Sequence, residues 1–202
     1  MPRVFAALIA LIAWAGLGIQ FYATFSGNGL VVETIWILLR FFTIITNLLV
    51  AIAMTAIAAD RRVSPFLQAG LALAIGLVGV VYMTLLRGLV HLEGAALLAD
   101  TLLHYIVPIA SVLYWLAIAP KFGLRWTHPL LWSLYPLAYF AYAILRGSVD
   151  ARYPYPFMDV TVLGVGRTAL NAVGLATAFV IAGLGMVAIS RLAGRNQVRP
   201  LG

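Results

Sequence analysis

The sequence contains no cysteine, and this absence excludes several kinds of chemistry. Without thiols the chain has no disulfide framework, no thiolate nucleophile, no iron–sulfur cluster and no zinc site with cysteine ligands. The motifs HExxH and GxSxG are also missing. His91 and His128 fall in predicted loops, so His104 has no second deep histidine with which to ligate haem or zinc. We therefore expect neither a metal nor another cofactor.

Charged residues are scarce as well, at 9% of the 202 residues, while hydrophobic residues make up 64%. This composition is typical of an integral membrane protein and lies outside the range of soluble globular proteins. Apolar runs of about 20 residues, the length that crosses a hydrocarbon core of about 30 Å, can be read six times. The predicted spans are residues 4–25, 34–58, 66–86, 97–118, 129–146 and 165–190. The predicted fold is all-α, with one polytopic domain of six transmembrane helices over residues 1–202.

The net charge of +7 does not indicate a nucleic acid partner, because the basic residues are distributed according to the spans. The loop between the first and second predicted spans, Ser26-Gly-Asn-Gly-Leu30, has no basic residue. The positive-inside rule then places both termini in the cytoplasm, as an even number of spans requires. If the spans alternate, one side collects most of the positive charge: Arg3, Arg61, Arg62, Lys121, Arg125, Arg191, Arg195 and Arg199.

The N-terminal segment has a second interpretation. A basic start followed by an apolar run, with Ala13-Trp-Ala15 as a cleavage site, has the pattern of a secretory signal. Apolar sequence continues past Ala15 through Phe21, however, and removal would leave five spans and break the charge asymmetry. We expect the segment to form the first span.

Polar residues of five spans fall in the outer half of the predicted bilayer. Within each span they are spaced at i+3, i+4 or i+7, so each helix presents one polar stripe. Ionisable residues inside a membrane usually face a polar interior and mark a site, although a single arginine can also snorkel to the headgroups. We expect a shared outward-facing cavity, in which Asp100 and Asp159 offset part of the arginine charge. The predicted substrate-binding or oxyanion residues are Arg40, Asn47, Arg87, Asp100, Tyr142, Arg146, Arg167 and Asn171.

Thr43 and His104 are predicted at similar depth in the second and fourth spans. A hydroxyl that contacts an imidazole is the minimum apparatus for an activated oxygen nucleophile. Asp100, four residues before His104, lies on the same helical face and is placed to orient the ring. The alternative is an interhelical hydrogen bond that only packs the bundle, as Ser, Thr and His side chains commonly do in membranes.

Four glycines in the predicted spans and the loop between the fifth and sixth spans each indicate a structural role. Gly76, Gly79, Gly183 and Gly185 are predicted at close contacts between helices. The stretch Tyr153-Pro-Tyr-Pro-Phe-Met-Asp159 is stiffened by two prolines and rich in aromatics. Its composition fits an interfacial aromatic belt and a lid over the cavity equally well.

Three segments together resemble bacterial members of the androgen-induced, androgen-dependent membrane protein family. They are Arg40-Phe-Phe-Thr-Ile-Ile-Thr-Asn47, Leu102-Leu-His-Tyr-Ile-Val-Pro108, and Tyr142 to Ser148 followed by Tyr153-Pro-Tyr-Pro-Phe157. Animal members are multi-span hydrolases that cleave fatty acid esters of hydroxy fatty acids with an intramembrane threonine and a histidine. The resemblance implies that Thr43 is the catalytic nucleophile and His104 the catalytic histidine. It also implies a bacterial cytoplasmic membrane and a membrane lipid or fatty-acyl substrate.

Two other functions fit the same residues. A carrier for an anionic solute would use the arginines to bind substrate and the Asp100–His104 pair to relay a proton. Polarity confined to one half of the bilayer argues against this, since a conduit needs a route on both sides. A non-catalytic lipid-binding protein is the third possibility. The sequence does not define the oligomeric state.

Overall fold

The computed structural model describes residues 1–197, with side chains described as far as residue 193. Regular structure within these residues is entirely helical, which confirms the prediction of an all-α fold. The chain divides into two compact units, Met1–Lys121 and Phe122–Gly202. Arg199 and the side chain of Arg195, both assigned to the cytoplasmic group of basic residues, lie outside the described part.

The first unit contains six α-helices and two π-helical turns. The first helices in order are α1 (Pro2–Asn28), α2 (Val31–Leu38), α3 (Phe42–Ala58) and α4 (Pro65–Val81). Helix α4 continues directly into a π turn, Tyr82–Leu86. The last segment is α5 (Gly94–Thr101), a second π turn (Leu102–Ile106) and α6 (Val107–Ala117) in one continuous run.

Local sequence explains where several of these helices begin and end. Gly29 ends α1 in the left-handed conformation, at φ 70°, and its N–H donates to the Phe25 carbonyl over 2.7 Å. Ser64 caps α4 by accepting from the Leu67 N–H at 3.2 Å, with Pro65 at the first helical position.

Small residues let the helices of this unit approach closely. Helix α1 packs along α3 and α5, and α4 packs on α6. A Cβ added at Gly76 would lie 2.9 Å from Val112 Cγ2, and one at Gly79 would lie 3.1 Å from Pro108 Cβ. The structure therefore confirms both glycines at a close helix contact, as is common in membrane proteins.

The predicted second span, residues 34–58, is wrong as a single helix. Helices α2 and α3 meet at a bend of 98°, and Arg40 lies in the break between them. The physical reason is the extended conformation of Phe41, at φ −96° and ψ 128°, which interrupts the helical hydrogen bonds. Arg40 consequently does not share a helical face with Thr43 and Asn47, whereas these two residues both belong to α3.

The second unit contains two long helices and a short turn. They are α7 (His128–Asp150), a 3-10 turn (Pro156–Met158) and α8 (Val160–Gln197). Helix α8 starts earlier than expected and is broken at Gly164, whose φ of 73° and ψ of 163° favour glycine. A Cβ at Gly183 would lie 2.9 Å from Pro129 Cβ, which confirms a close contact there. The same prediction for Gly185 is wrong, because nothing lies within 4 Å of a Cβ at that position.

Within the described residues, four helical segments are long and apolar enough to cross a membrane. They are Pro2–Asn28, Pro65–Leu86, Gly94–Ala117 and Val160–Ala193, and the bent pair α2–α3 makes five if it is one span. Helix α7 is not among them, since its tyrosines and prolines lower its mean hydropathy. The chain thus has the character of a multi-pass membrane protein, while the total of six spans and the cytoplasmic position of both termini stay predictions.

Candidate active site

The structure brings Thr43 and His104 into hydrogen-bond contact. Thr43 is the second residue of α3 and is buried, with 6% of its surface exposed. His104 lies in the π turn Leu102–Ile106, which packs against α3 and α4. Thr43 Oγ1 and His104 Nε2 are 3.2 Å apart. The second and fourth predicted spans are therefore neighbours at this depth, which the sequence alone left open.

Asp100 fixes the orientation and the tautomer of His104. The Nδ1 atom of His104 lies 2.9 Å from Asp100 Oδ1 and 3.2 Å from the Asp100 carbonyl oxygen. Both neighbours are acceptors, so Nδ1 must carry the proton in the neutral ring. Nε2 is then unprotonated and accepts the hydrogen bond from the Thr43 hydroxyl. Hydroxyl, imidazole and carboxylate form the arrangement of a nucleophilic triad.

Tyr82 is a site residue that the sequence reasoning missed. Its hydroxyl donates to Asp100 Oδ2 over 2.6 Å, and its ring stacks on the His104 ring with centroids 3.9 Å apart at 17°. Tyr82 opens the first π turn and His104 lies in the second, and such turns often occur at functional sites. Local spacing gave no signal for Tyr82, since its partner Asp100 lies 18 residues away along the chain.

Asn47 lies one helical turn beyond Thr43 and is completely buried. Its Nδ2 donates to the Thr43 carbonyl at 2.9 Å and to the Leu103 carbonyl at 3.2 Å. The side chain thus joins α3 to the π turn that carries His104.

The two arginines predicted in this unit differ in their surroundings. Arg40 is buried at the break between α2 and α3, three residues before Thr43. Arg87 is exposed and follows the π turn Tyr82–Leu86, where its N–H donates to the Tyr82 carbonyl at 2.8 Å. Arg40 is thus close in sequence to Thr43, and Arg87 is close in sequence to Tyr82.

The remaining predicted residues belong to the second unit. Arg146 is buried and its Nη1 donates to the Tyr142 hydroxyl over 2.9 Å, while Arg167 is exposed on α8. Asn171 Nδ2 donates to the Phe157 carbonyl at 2.8 Å and so ties α8 to the 3-10 turn.

The stretch 153–159 is folded against its own unit. Tyr155 and Phe157 stack with centroids 5.2 Å apart, and Met158 is 1% exposed. Asp159 was expected to offset arginine charge, but its Oδ1 accepts from the Thr161 and Val162 N–H groups and caps the start of α8. The cap explains this carboxylate without an arginine partner.

The arrangement in the first unit supports nucleophilic chemistry at an oxygen. Among the side chains described, no three His, Asp or Glu residues are placed to hold a metal ion. No protein-family model, no curated protein and no solved structure matches this chain. The resemblance noted from the sequence therefore stays a prediction.

Proposed function

We propose that this chain is an integral membrane hydrolase that cleaves a lipid-like ester. The expected type of substrate is a fatty acid ester of a hydroxy fatty acid. The observation that carries the proposal is the chain of contacts from the Thr43 hydroxyl to His104 and on to Asp100. A hydrogen bond that only packs helices needs Thr43 and His104 alone. A carboxylate that fixes the tautomer of His104 adds what general-base catalysis requires.

In the reaction, Thr43 Oγ1 attacks the acyl carbon while its proton passes to His104 Nε2. The tetrahedral intermediate collapses when the protonated His104 gives that proton to the leaving alkoxide, and the acyl group stays on Thr43. Water then attacks the acyl-threonine with His104 again as base, and the carboxylic acid and the free hydroxyl of Thr43 are released. Asp100 stabilises the imidazolium in both halves through Nδ1.

The start of α3 supplies stabilisation for the oxyanion. Thr43 is the second residue of the helix, and its own backbone N–H has no acceptor within the helix. The positive end of the helix dipole therefore lies at Thr43, and it would stabilise the negative charge that forms on the carbonyl oxygen of the substrate. Arg40 adds a guanidinium three residues away in sequence, suited to a substrate carboxylate or to the same oxyanion.

In the membrane we place six spans, with α7 as the fifth and both termini in the cytoplasm. The site then opens toward the outer leaflet of a bacterial cytoplasmic membrane. The inner part of α3, from Leu48 to Ala58, carries no ionisable residue and provides an apolar surface for an acyl chain. Arg87, which follows the π turn Tyr82–Leu86, keeps its predicted part in binding the polar end of the substrate.

The test is ester hydrolysis and fluorophosphonate labelling by purified protein in vesicles. Thr43→Ala and His104→Ala should abolish turnover, and Thr43→Ala should also abolish labelling. Thr55→Val is the matched control, since Thr55 lies on the same helix and its hydroxyl donates to the Ala51 carbonyl at 2.7 Å. The proposal fails if both site variants keep full hydrolysis and labelling.

One observation favours a second candidate, a carrier for an anionic solute. Many transporters bind substrate at the break of a discontinuous helix, and Arg40 places a buried cation at such a break. Proteoliposomes would show substrate flux that Arg40→Ala abolishes and Thr43→Ala leaves intact. Ester turnover by the unmodified protein without such flux would exclude this candidate.

A further inference from the structure

The π turn that carries His104 leaves one carbonyl without its usual backbone donor. In such a turn each N–H bonds to the carbonyl five residues earlier, and the Val107 N–H bonds to the Leu102 carbonyl in this way. The next donor in the series is residue 108, which is proline and has no N–H. The Leu103 carbonyl, directly before His104, therefore needs a donor from elsewhere, since an unpaired buried carbonyl is costly.

Asn47 supplies that donor from another helix. Its Nδ2 contacts the Leu103 carbonyl at 3.2 Å and the Thr43 carbonyl at 2.9 Å, so both amide hydrogens are engaged. Thr43 and Leu103 are the residue that bears the hydroxyl and the residue that precedes the imidazole. One fully buried amide thus links the backbones on which the two reacting groups are mounted.

The opposite side of the turn is braced by α4. A Cβ at Gly79 would lie 3.3 Å from the His104 carbonyl oxygen and 3.1 Å from Pro108 Cβ. The turn is therefore held by direct packing on α4 and by the Asn47 hydrogen bond on α3. Removal of that hydrogen bond frees the side of the turn that faces Thr43.

We infer that Asn47 is a positioning residue, which sets the distance between Thr43 Oγ1 and His104 Nε2 by holding the π turn against α3. This inference rests on the proposed function. It replaces the predicted oxyanion role, because an amide with both hydrogens engaged has none to donate to an oxyanion. The Oδ1 atom of Asn47 has no hydrogen-bond partner among the described residues, and an acceptor cannot stabilise an oxyanion.

The first experiment measures how fast His104 is acylated, a rate that reports the restraint on its ring and does not depend on ester hydrolysis. Diethyl pyrocarbonate acylates unprotonated imidazole nitrogens, and peptide mass spectrometry reports each of the three histidines separately. His91, whose side chain is 90% exposed, is the internal reference. Thr43→Val removes the hydrogen bond to Nε2 and defines the rate for a ring that has lost this contact alone.

Asn47→Asp is the informative variant, because it keeps the size of the side chain and removes both N–H groups. We expect His104 to react several-fold faster than in the unmodified protein and close to the rate in Thr43→Val. Gln68→Glu is the matched control, since Gln68 Nε2 also donates to a backbone carbonyl, that of Val63 at 2.8 Å, and its Oε1 is also buried without a described partner. That variant should leave the rate of His104 unchanged.

The second experiment measures kinetics on the ester substrate. A displacement of about 1 Å between reacting groups costs on the order of 100-fold in rate, so Asn47→Asp should lower kcat by that factor with KM unchanged. Loss of an oxyanion donor would also lower kcat, but it would leave the acylation rate of His104 at its original value. The combination of both readouts therefore identifies positioning.

The outcomes separate the two proposals. An unmodified protein without ester turnover overturns the proposed function, and the acylation rates still decide whether Asn47 positions His104. A His104 that reacts in Asn47→Asp as slowly as in the unmodified protein overturns the positioning role. An unchanged melting temperature in Asn47→Asp, measured beside Gln68→Glu, shows that a faster reaction does not come from unfolding.

Discussion

The Thr43 hydroxyl and the His104 imidazole, 61 positions apart in the sequence, lie 3.2 Å apart in the fold. Two local features create this contact. Thr43 follows a break that starts a new helix, and His104 lies in a π turn that contacts α3. The contact therefore depends on two departures from regular helix, one on each side of the pair.

Asp100→Asn tests the carboxylate that fixes the tautomer of His104. The asparagine retains the shape but can present an N–H to Nδ1, which favours the wrong tautomer and withdraws the charge that stabilises the imidazolium. We expect kcat to fall by about 1,000-fold or more, as for the equivalent change in other triads. Asp60→Asn is the control, because Asp60 pairs with Arg3 at an exposed position. Equal activity of Asp100→Asn and the unmodified protein would contradict the triad.

Tyr82→Phe separates the hydroxyl of Tyr82 from its ring. The phenylalanine keeps the stack on His104 but loses the hydrogen bond to Asp100, and a hydrogen bond to a charged group is worth about 1.5–3 kcal/mol. We expect a decrease in kcat of about tenfold or more. Tyr105→Phe is the matched control, since Tyr105 lies in the same π turn as His104 and meets Tyr82 only by its ring edge. Similar kinetics for the two variants would show that the hydroxyl of Tyr82 is dispensable.

Gly79→Ala tests the close packing of α4 on the site. A methyl group 3.1 Å from Pro108 Cβ overfills the contact, and overpacking costs about 1–3 kcal/mol of stability. The control is Gly18→Ala, where nothing lies within 4 Å and the higher helix propensity of alanine should stabilise by up to about 1 kcal/mol. Thermal unfolding in detergent should show a lower Tm than that of the unmodified protein for Gly79→Ala and not for Gly18→Ala. A Tm as high for Gly79→Ala as for Gly18→Ala would contradict the packing.

The absence of cysteine makes the chain a ready background for topology mapping. With single cysteines and a membrane-impermeant maleimide, Gly27→Cys should be labelled from outside and Arg62→Cys only after permeabilisation. Labelling of both from the same side would make α2 and α3 a re-entrant loop. Phe122→Cys and Arg152→Cys test α7 in the same way, and we expect them on opposite sides.

Much of the site could be predicted because its residue types and local spacing are visible in the chain. Asp100 and His104 are four residues apart, and the structure places them in contact as this spacing requires. Tyr82 could not be found in this way, because its partner lies 18 residues away on another helix and its own segment is apolar. The break at Arg40 was missed because the apolar run continues through it, and hydropathy does not register backbone conformation.

The sequence by itself determined that this protein is helical, apolar and without thiol chemistry, since composition and short-range periodicity are properties of the chain. It also places a proline at position 108, where the missing N–H leaves the Leu103 carbonyl without its backbone donor. Only the tertiary structure decided that Asn47 fills this gap and that Thr43 meets His104. Those contacts depend on which helices are neighbours and at what register, and both result from packing between segments that are distant along the chain.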